Sequence, residues 1–225
     1  MEKELTLKEK YILLAYHPER GRPLAFSSYH SYGLSGAVLL ELADQDKIKI
    51  EGKKAILKNN KKTGDYALDL AIEKISSAKT RKKTQTWISR LANSGSYRKI
   101  RNNVLEGLVR KQILRKDEGS ALWIFKYQKY PLRDTGLRKS LVREIRDVVL
   151  KNHLGAKDIY LLIGLIGATK LTSSVFERGE RKKARKRIRE VMKSNDVAKA
   201  LEGTVAAVQT AIIASIAASA AATAA

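Results

Sequence analysis

Cysteine is absent from the whole chain, which excludes disulfides, a thiolate nucleophile and a Cys-ligated metal, and suits a reducing compartment. Histidine is scarce: His17, His30 and His153 are scattered, with no HExxH or comparable ligand spacing, so no metal site is expected. A glycine-rich phosphate loop is also missing. The stretch "GRPLAFSSYHSYGLSG" contains glycines but lacks a preceding strand and the GxGxxG order. No GxSxG nucleophile elbow occurs. Acidic residues are few, 23 against 45 lysines and arginines, and most lie within a turn of a base, as Glu144 does beside Arg143 and Arg146. Such spacing reads as solvated ion pairing. With no acid–base or nucleophilic constellation and no cofactor motif, the expectation is a non-enzyme that needs no cofactor.

What is present is positive charge. The formal net charge is +22 and the pI about 10.1. This balance points to a polyanionic partner, either nucleic acid or an anionic membrane face. The 225 residues, 44% of them hydrophobic, allow one large globular domain or two small ones. The start, "MEKELTLKEK", is charged and has no apolar signal core, so secretion is not expected. At the other end, Gly203 to Ala225 carries no charge and is long enough to span a bilayer. It is mostly Ala, Ser and Thr, so insertion would be marginal, and the favoured expectation is a helix buried at the centre of a bundle.

Along the chain, "LTLKEKYILLAY" opens with a capping-box-like Thr6 and Glu9 and continues as a helix. "HPERGRP" is a loop punctuated by Pro18, Gly21 and Pro23. "LSGAVLLELADQDK" is a second helix, and "KIKIEGKKAILK" alternates on both sides of Gly52 as a hairpin. "KTGDYALDLAIEKI" starts a third helix, with Thr63 or Asp65 near its N-cap. A second helix-plus-hairpin pattern, "NNVLEGLVRKQILRKDEGSALWIFK", echoes the first, "GAVLLELADQDKIKIEGKKAILK". Each has the outline of a winged helix. After Pro131 the chain turns helical: an amphipathic helix carrying Leu137, Leu141, Ile145, Val148 and Val149, the all-round apolar "DIYLLIGLIGATKL", and a basic helix with Ala184, Ile188 and Met192 on one side. The expected fold class is mainly α, a single compact helical domain over 5–225. Within it, 5–60 forms a helix–hairpin unit, 61–135 holds helices and an apolar hairpin, and 136–225 forms a helical bundle with the Ala-rich end.

The strongest functional signal is "SYRKIRNNVLEGLVRKQILRK". Arg98 and Arg101 are three apart, so they share a helix face and could clamp a phosphate. Just downstream lie Leu122, Trp123, Ile124 and Phe125, an apolar run of the kind that favours a membrane interface. Reversible membrane binding takes two such signals. Each cation near an anionic leaflet contributes roughly 1 kcal/mol, and full burial of one large apolar side chain about 1.5–3 kcal/mol.

The order "LTLKEKYILLAY", "GLSGAVLLELADQDKIKI", "KTGDYALDLAIEKI", "WISRL", "YRKIRNNVLEGLVRKQIL", "YPL" and "DIYLLIGLIGA" resembles the Golgi phosphoprotein 3 family. The resemblance implies a mainly helical single domain and a peripheral membrane protein that binds phosphatidylinositol 4-phosphate. It also implies an apolar β-hairpin, matched by "RKDEGSALWIFKYQKYPL", used at the membrane or for homo-oligomerisation. Eukaryotic members hold glycosyltransferases in the Golgi by gripping their short cytoplasmic tails and the coatomer coat. The family's two headgroup arginines match Arg98 and Arg101. Its pocket tryptophan falls at Phe26 or Ser27, and a further arginine, inside the "GL.G" motif, is Ser35 here. Half of the headgroup contacts therefore differ. The start, five residues before the domain, lacks the arginine-bearing tail used for coat binding, so coatomer binding is not expected. Shorter relatives with an Ala-rich end occur in prokaryotes. The implied location is the cytosolic face of a membrane, Golgi in a eukaryote and plasma membrane in a prokaryote.

The leading expectation is thus an anionic-phospholipid binder acting through Arg98, Arg101, Phe26, Ser27 and Ser35, with Leu122 to Phe125 inserting. Membrane-protein tails or a second copy of the chain are further partners. A winged-helix-like nucleic-acid binder is the alternative, disfavoured because a DNA-reading wing tip wants Arg or Lys rather than Trp-Ile-Phe.

Overall fold

Glu9 Oε2 accepts the Thr6 backbone N–H at 2.9 Å, closing the expected helix start ahead of α1 (Leu7–Ala15). In this computed structural model the described residues are 4–24, 27–121, 125–194 and 196–222. Tyr11, Ile12, Leu13, Leu14 and Ala15 are each at most 2% exposed, so α1 is covered on every side and sits at the centre. Against it pack α2 (Ser27–Asp44) and α7 (Lys157–Ala168), the segment that was apolar all round. A buried charge cluster ties the centre together. Lys8 Nζ lies 2.7 Å from Glu41 Oε2 and 2.9 Å from Asp65 Oδ2, joining α1, α2 and the cap of α3 (Tyr66–Ser76).

Two expectations sharpen here. α2 begins at Ser27, seven residues before Leu34, because His30 and Leu34 are buried and tertiary packing outweighs the weak helix propensity of "SSYHSYG". Asp65 is the N-cap of α3, accepting the Ala67 and Leu68 N–H groups. Thr63 does other work, donating from both its backbone N and its Oγ1 to Asp69.

The first hairpin pairs β1 (Ile48–Glu51) with β2 (Lys54–Leu57), Ile48 opposite Leu57 and Glu51 opposite Lys54, turning at Gly52. Ile48 and Ala55 are each 2% exposed, since the hairpin lies against α2, α3, α4 (Thr84–Ala92) and α10 (Asp196–Ala222). The second pairs β3 (Asp117–Ala121) with β4 (Phe125–Lys129), directly after α5 (Ser94–Arg110). Its register sets Asp117 opposite Lys129 and Ala121 opposite Phe125. The described strands of this hairpin pack chiefly on each other.

α6 (Gly136–Lys151) buries Leu141, Ile145, Val148 and Val149, the expected stripe, with Leu137 packed at its edge. The short α8 (Thr172–Val175) leads to α9 (Arg181–Ser194), whose Ala184, Ile188 and Met192 are all buried. α10 (Asp196–Ala222) departs from expectation. It packs Val205, Val208, Ala211 and Ile212 on α2, α4 and α7, yet only 28% of its most apolar window is buried. Gly203, Ala206, Thr210, Ile213 and Ala217, at helical spacing, are exposed. The helix lies on the surface of the bundle rather than at its centre. Gly203–Ala222 is long and apolar enough to cross a membrane by length and composition only. The molecule is mainly α, as expected.

Candidate functional site

The loop "HPERGRP" is clamped onto the exit of the second hairpin. Tyr130 N–H donates to the Gly21 carbonyl at 3.0 Å, and Leu132 N–H to the Pro18 carbonyl at 2.8 Å. Gly21 has φ +60°, and a Cβ there would stand 2.4 Å from the backbone nitrogens of Tyr130 and Pro131. Only glycine fits this left-handed, close approach. The clamp brings Arg22 beside β4, with its guanidinium carbon 3.9 Å from the centroid of the Tyr127 ring.

Opposite stands α5. Its Arg101, half-buried, donates from Nε and Nη2 to Asn102 Oδ1 at 3.2 and 2.9 Å and lies 5.5 Å from the centroid of Tyr97. Between loop, helix and strand is a concavity of about 450 Å³, lined by Arg22, Arg101, Asn102, Tyr127, Gln128 and Tyr130 over a floor of Tyr16, Gly21 and Leu105. Tyr130 Oη donates to Gln128 Oε1 at 2.7 Å. Lys116 Nζ pairs with Glu106 at 2.7 Å, and that carboxylate also accepts from Tyr130 Oη at 3.4 Å. No described carboxylate forms an ion pair with Arg22, Arg98 or Arg101. Two guanidiniums that pair with no described carboxylate, framed by tyrosines, have the donor geometry that suits a phosphate or another oxyanion.

Beneath Arg101 lies a buried aromatic joint between α2 and α5. Tyr97 Oη and His30 Nδ1 are 2.7 Å apart, and the His30 ring meets Tyr11, Tyr16 and Tyr97 edge-on at 5.1–6.0 Å. Burial, reinforced by the Arg101 charge, pushes the His30 pKa from 6.5 down to about 3, so the imidazole is neutral. Burial likewise pushes the Tyr16 and Tyr97 phenols up. This joint carries no charge of its own and leaves the guanidinium above it unopposed.

Of the residues singled out from sequence, Arg101 lines the concavity. Arg98 is exposed one turn earlier on α5 and does not line it. Ser35 is 1% exposed and its Oγ donates to the Ser31 carbonyl at 2.8 Å, so the structure places it inside the bundle, away from the concavity. Phe26, Leu122, Trp123 and Ile124 lie outside the described residues, and of Ser27 and Phe125 only the backbone is described, at the starts of α2 and β4. The sequence reading missed Arg22, Asn102, Tyr127, Gln128 and Tyr130. Arginines flanking Gly21 in a Pro-bracketed loop and the tyrosines of "KYQKY" were the available signals.

The Golgi phosphoprotein 3 (GPP34) family profile matches residues 7–208. Vacuolar protein sorting-associated protein 74 of Schizosaccharomyces pombe is 27% identical over 164 residues, covering 64% of this chain and 48% of the relative. The match thus spans about half the length of that curated relative. The order of helices and hairpins, the basic α5 leading into the second hairpin, and a profile match running from α1 into α10 lead to one conclusion: this chain belongs to the Golgi phosphoprotein 3 family.

Proposed function

We propose that the chain is a non-enzymatic peripheral membrane protein that binds the anionic headgroup of a phospholipid, of the phosphatidylinositol 4-phosphate type, in the concavity between α5 and the second hairpin. The observation that carries this reading is the convergence of Arg22 and Arg101, neither ion-paired to a described carboxylate, on one concavity at the base of β4. Arg98, exposed on the same helix, adds charge toward the bilayer. Leu122 to Phe125 supply the apolar insertion that a reversible membrane protein needs beside its electrostatic attraction. Family membership and the basic excess support the same reading. The protein would act on the cytosolic face of a Golgi-type membrane, with the tails of membrane proteins as clients.

Sedimentation with vesicles tests it. Vesicles with phosphatidylinositol 4-phosphate should retain the protein at moderate salt better than vesicles of equal charge made with phosphatidylserine. The double variant Arg22→Glu/Arg101→Glu should lose that difference. Unchanged binding by the variant would remove the concavity from the reading. A DNA duplex binding more tightly than either vesicle would favour the nucleic-acid alternative.

A further inference from the structure

α9 carries eight lysines and arginines and one carboxylate, Glu190. That carboxylate is engaged by Arg187 and, at 3.8 Å, by Lys186. Neither lines the groove that opens on the other side of the helix. There, Arg185, Arg189 and Lys193 stand at i, i+4 and i+8 and form one lip of a cavity of about 410 Å³ between α7, α9 and α10. The adjacent row of α9, Ile188 and Met192, forms the floor and is 4% and 8% exposed. Gly167 and Ala168 of α7 extend this floor. The far lip is α10, which contributes Ala206 and Ile213, the latter 56% exposed. The remaining polar side chain, Gln209, already donates its amide N–H to the Gly164 carbonyl at 2.7 Å.

A cavity of this size falls within the range of small-molecule sites, which are mostly apolar with a few convergent polar groups. Its floor is not suited to a peptide, because buried backbone N–H and C=O groups would find few partners there. An alkyl chain has no such need. The three cations on one lip, none of them ion-paired to a described carboxylate, select a negative head. We propose that this groove is a second site, separate from the Arg22–Arg101 concavity, that binds a free single-chain anionic amphiphile, an alkyl carboxylate or alkyl phosphate. The chain lies on Ala168, Ile188, Met192 and Ile213, and the head meets Arg185, Arg189 and Lys193. Ala206, Gln209 and Ile213 belong to α10, much of which extends past the last residue of the family match at 208. Of these, Gln209 and Ile213 lie past that last matched residue.

The test is calorimetric titration of the full chain with dodecyl phosphate and with laurate, each below its micelle concentration. Dodecyl maltoside and dodecyltrimethylammonium serve as neutral and cationic controls. Both anions should bind with one-to-one stoichiometry and at least about tenfold more tightly than either control. Arg185→Glu/Arg189→Glu should weaken binding at least about tenfold, and Ile213→Glu by a similar factor. All three positions are exposed, so folding should survive. Lys53→Glu/Lys54→Glu makes the same change of net charge at exposed positions in the first hairpin and should leave affinity within about twofold, as should Arg22→Glu/Arg101→Glu. Ala206→Trp, which fills the groove from its exposed lip, should abolish binding. Equal binding of the cationic amphiphile, equal losses from both charge reversals, or effects of the α9 variant on anionic vesicles alone would each overturn the proposal. Loss in the Arg22/Arg101 variant alone would instead place the amphiphile in the first concavity.

Discussion

The two helix–hairpin units share a plan and meet opposite fates. In the first, α2 leads into β1–β2, whose Ile48 and Ala55 are almost fully covered by helices. In the second, α5 leads into β3–β4, whose described strands mainly contact each other and the loop at their base. The difference follows from what surrounds each hairpin. α10 and α4 close over the first and complete a core. The described strands of the second meet α5 and a Pro-bracketed loop at their base, and the space left between them is the Arg22–Arg101 concavity. The same local architecture becomes part of the core where helices cover it and borders an open concavity where its described strands stand beside a loop.

Breaking the first hairpin should have the largest effect. Ile48→Asp buries an unpaired carboxylate and should lower unfolding free energy by about 4 kcal/mol or more, read from the urea midpoint. Glu41→Ala, which leaves Lys8 Nζ only the partly exposed Asp65 and strands the buried Lys8 backbone N–H, should cost about 3 kcal/mol by the same measurement. At the second hairpin, Gly21→Ala should cost about 2 kcal/mol, because it combines a disfavoured φ with backbone overlap. It should also displace Arg22 and reduce vesicle binding, whereas a loss of stability without any loss of binding would separate the clamp from the site.

The joint between the units predicts a pH dependence. His30 titrates near 3 when folded and near 6.5 when unfolded, so between these values the unfolded chain binds more protons. Its contribution is fully present above pH 6.5 and should be lost as pH falls toward 3, by up to about 1.4 kcal/mol per pH unit. Urea midpoints measured from pH 7 to pH 4 check this slope, and His30→Phe should flatten it. If Trp123 inserts into the bilayer as proposed, Trp123→Asp should change stability least, by under about 0.5 kcal/mol. The same variant should abolish vesicle sedimentation, and light scattering on it would reveal any self-association through the hairpin.

Much of the fold was legible because it depends on neighbours in sequence. The Thr6–Glu9 spacing, a cap at Thr63 or Asp65, the alternation around Gly52 and the all-round apolar α7 each determine local structure through hydrogen bonding or burial periodicity. The start of α2 was not legible, since a Ser- and Tyr-rich run is helical only when His30 has a buried place to go. Neither was the placement of Ser35, whose position in a helix says nothing about which way that face looks. Arg101 was legible from its spacing with Arg98, whereas Arg22 was not, because it joins Arg101 through a backbone clamp to residues more than a hundred positions away.

By itself, then, the sequence determined most of the helices, the two hairpins and the basic excess. These follow from residue type and short-range spacing. Only the tertiary structure decided that the first hairpin is covered while the described strands of the second pack chiefly on each other, that Arg22 completes the concavity, and that an apolar C-terminal helix lies at the surface beside a row of cations. Those outcomes depend on which faces meet across the bundle, and long-range packing is set by the whole chain at once.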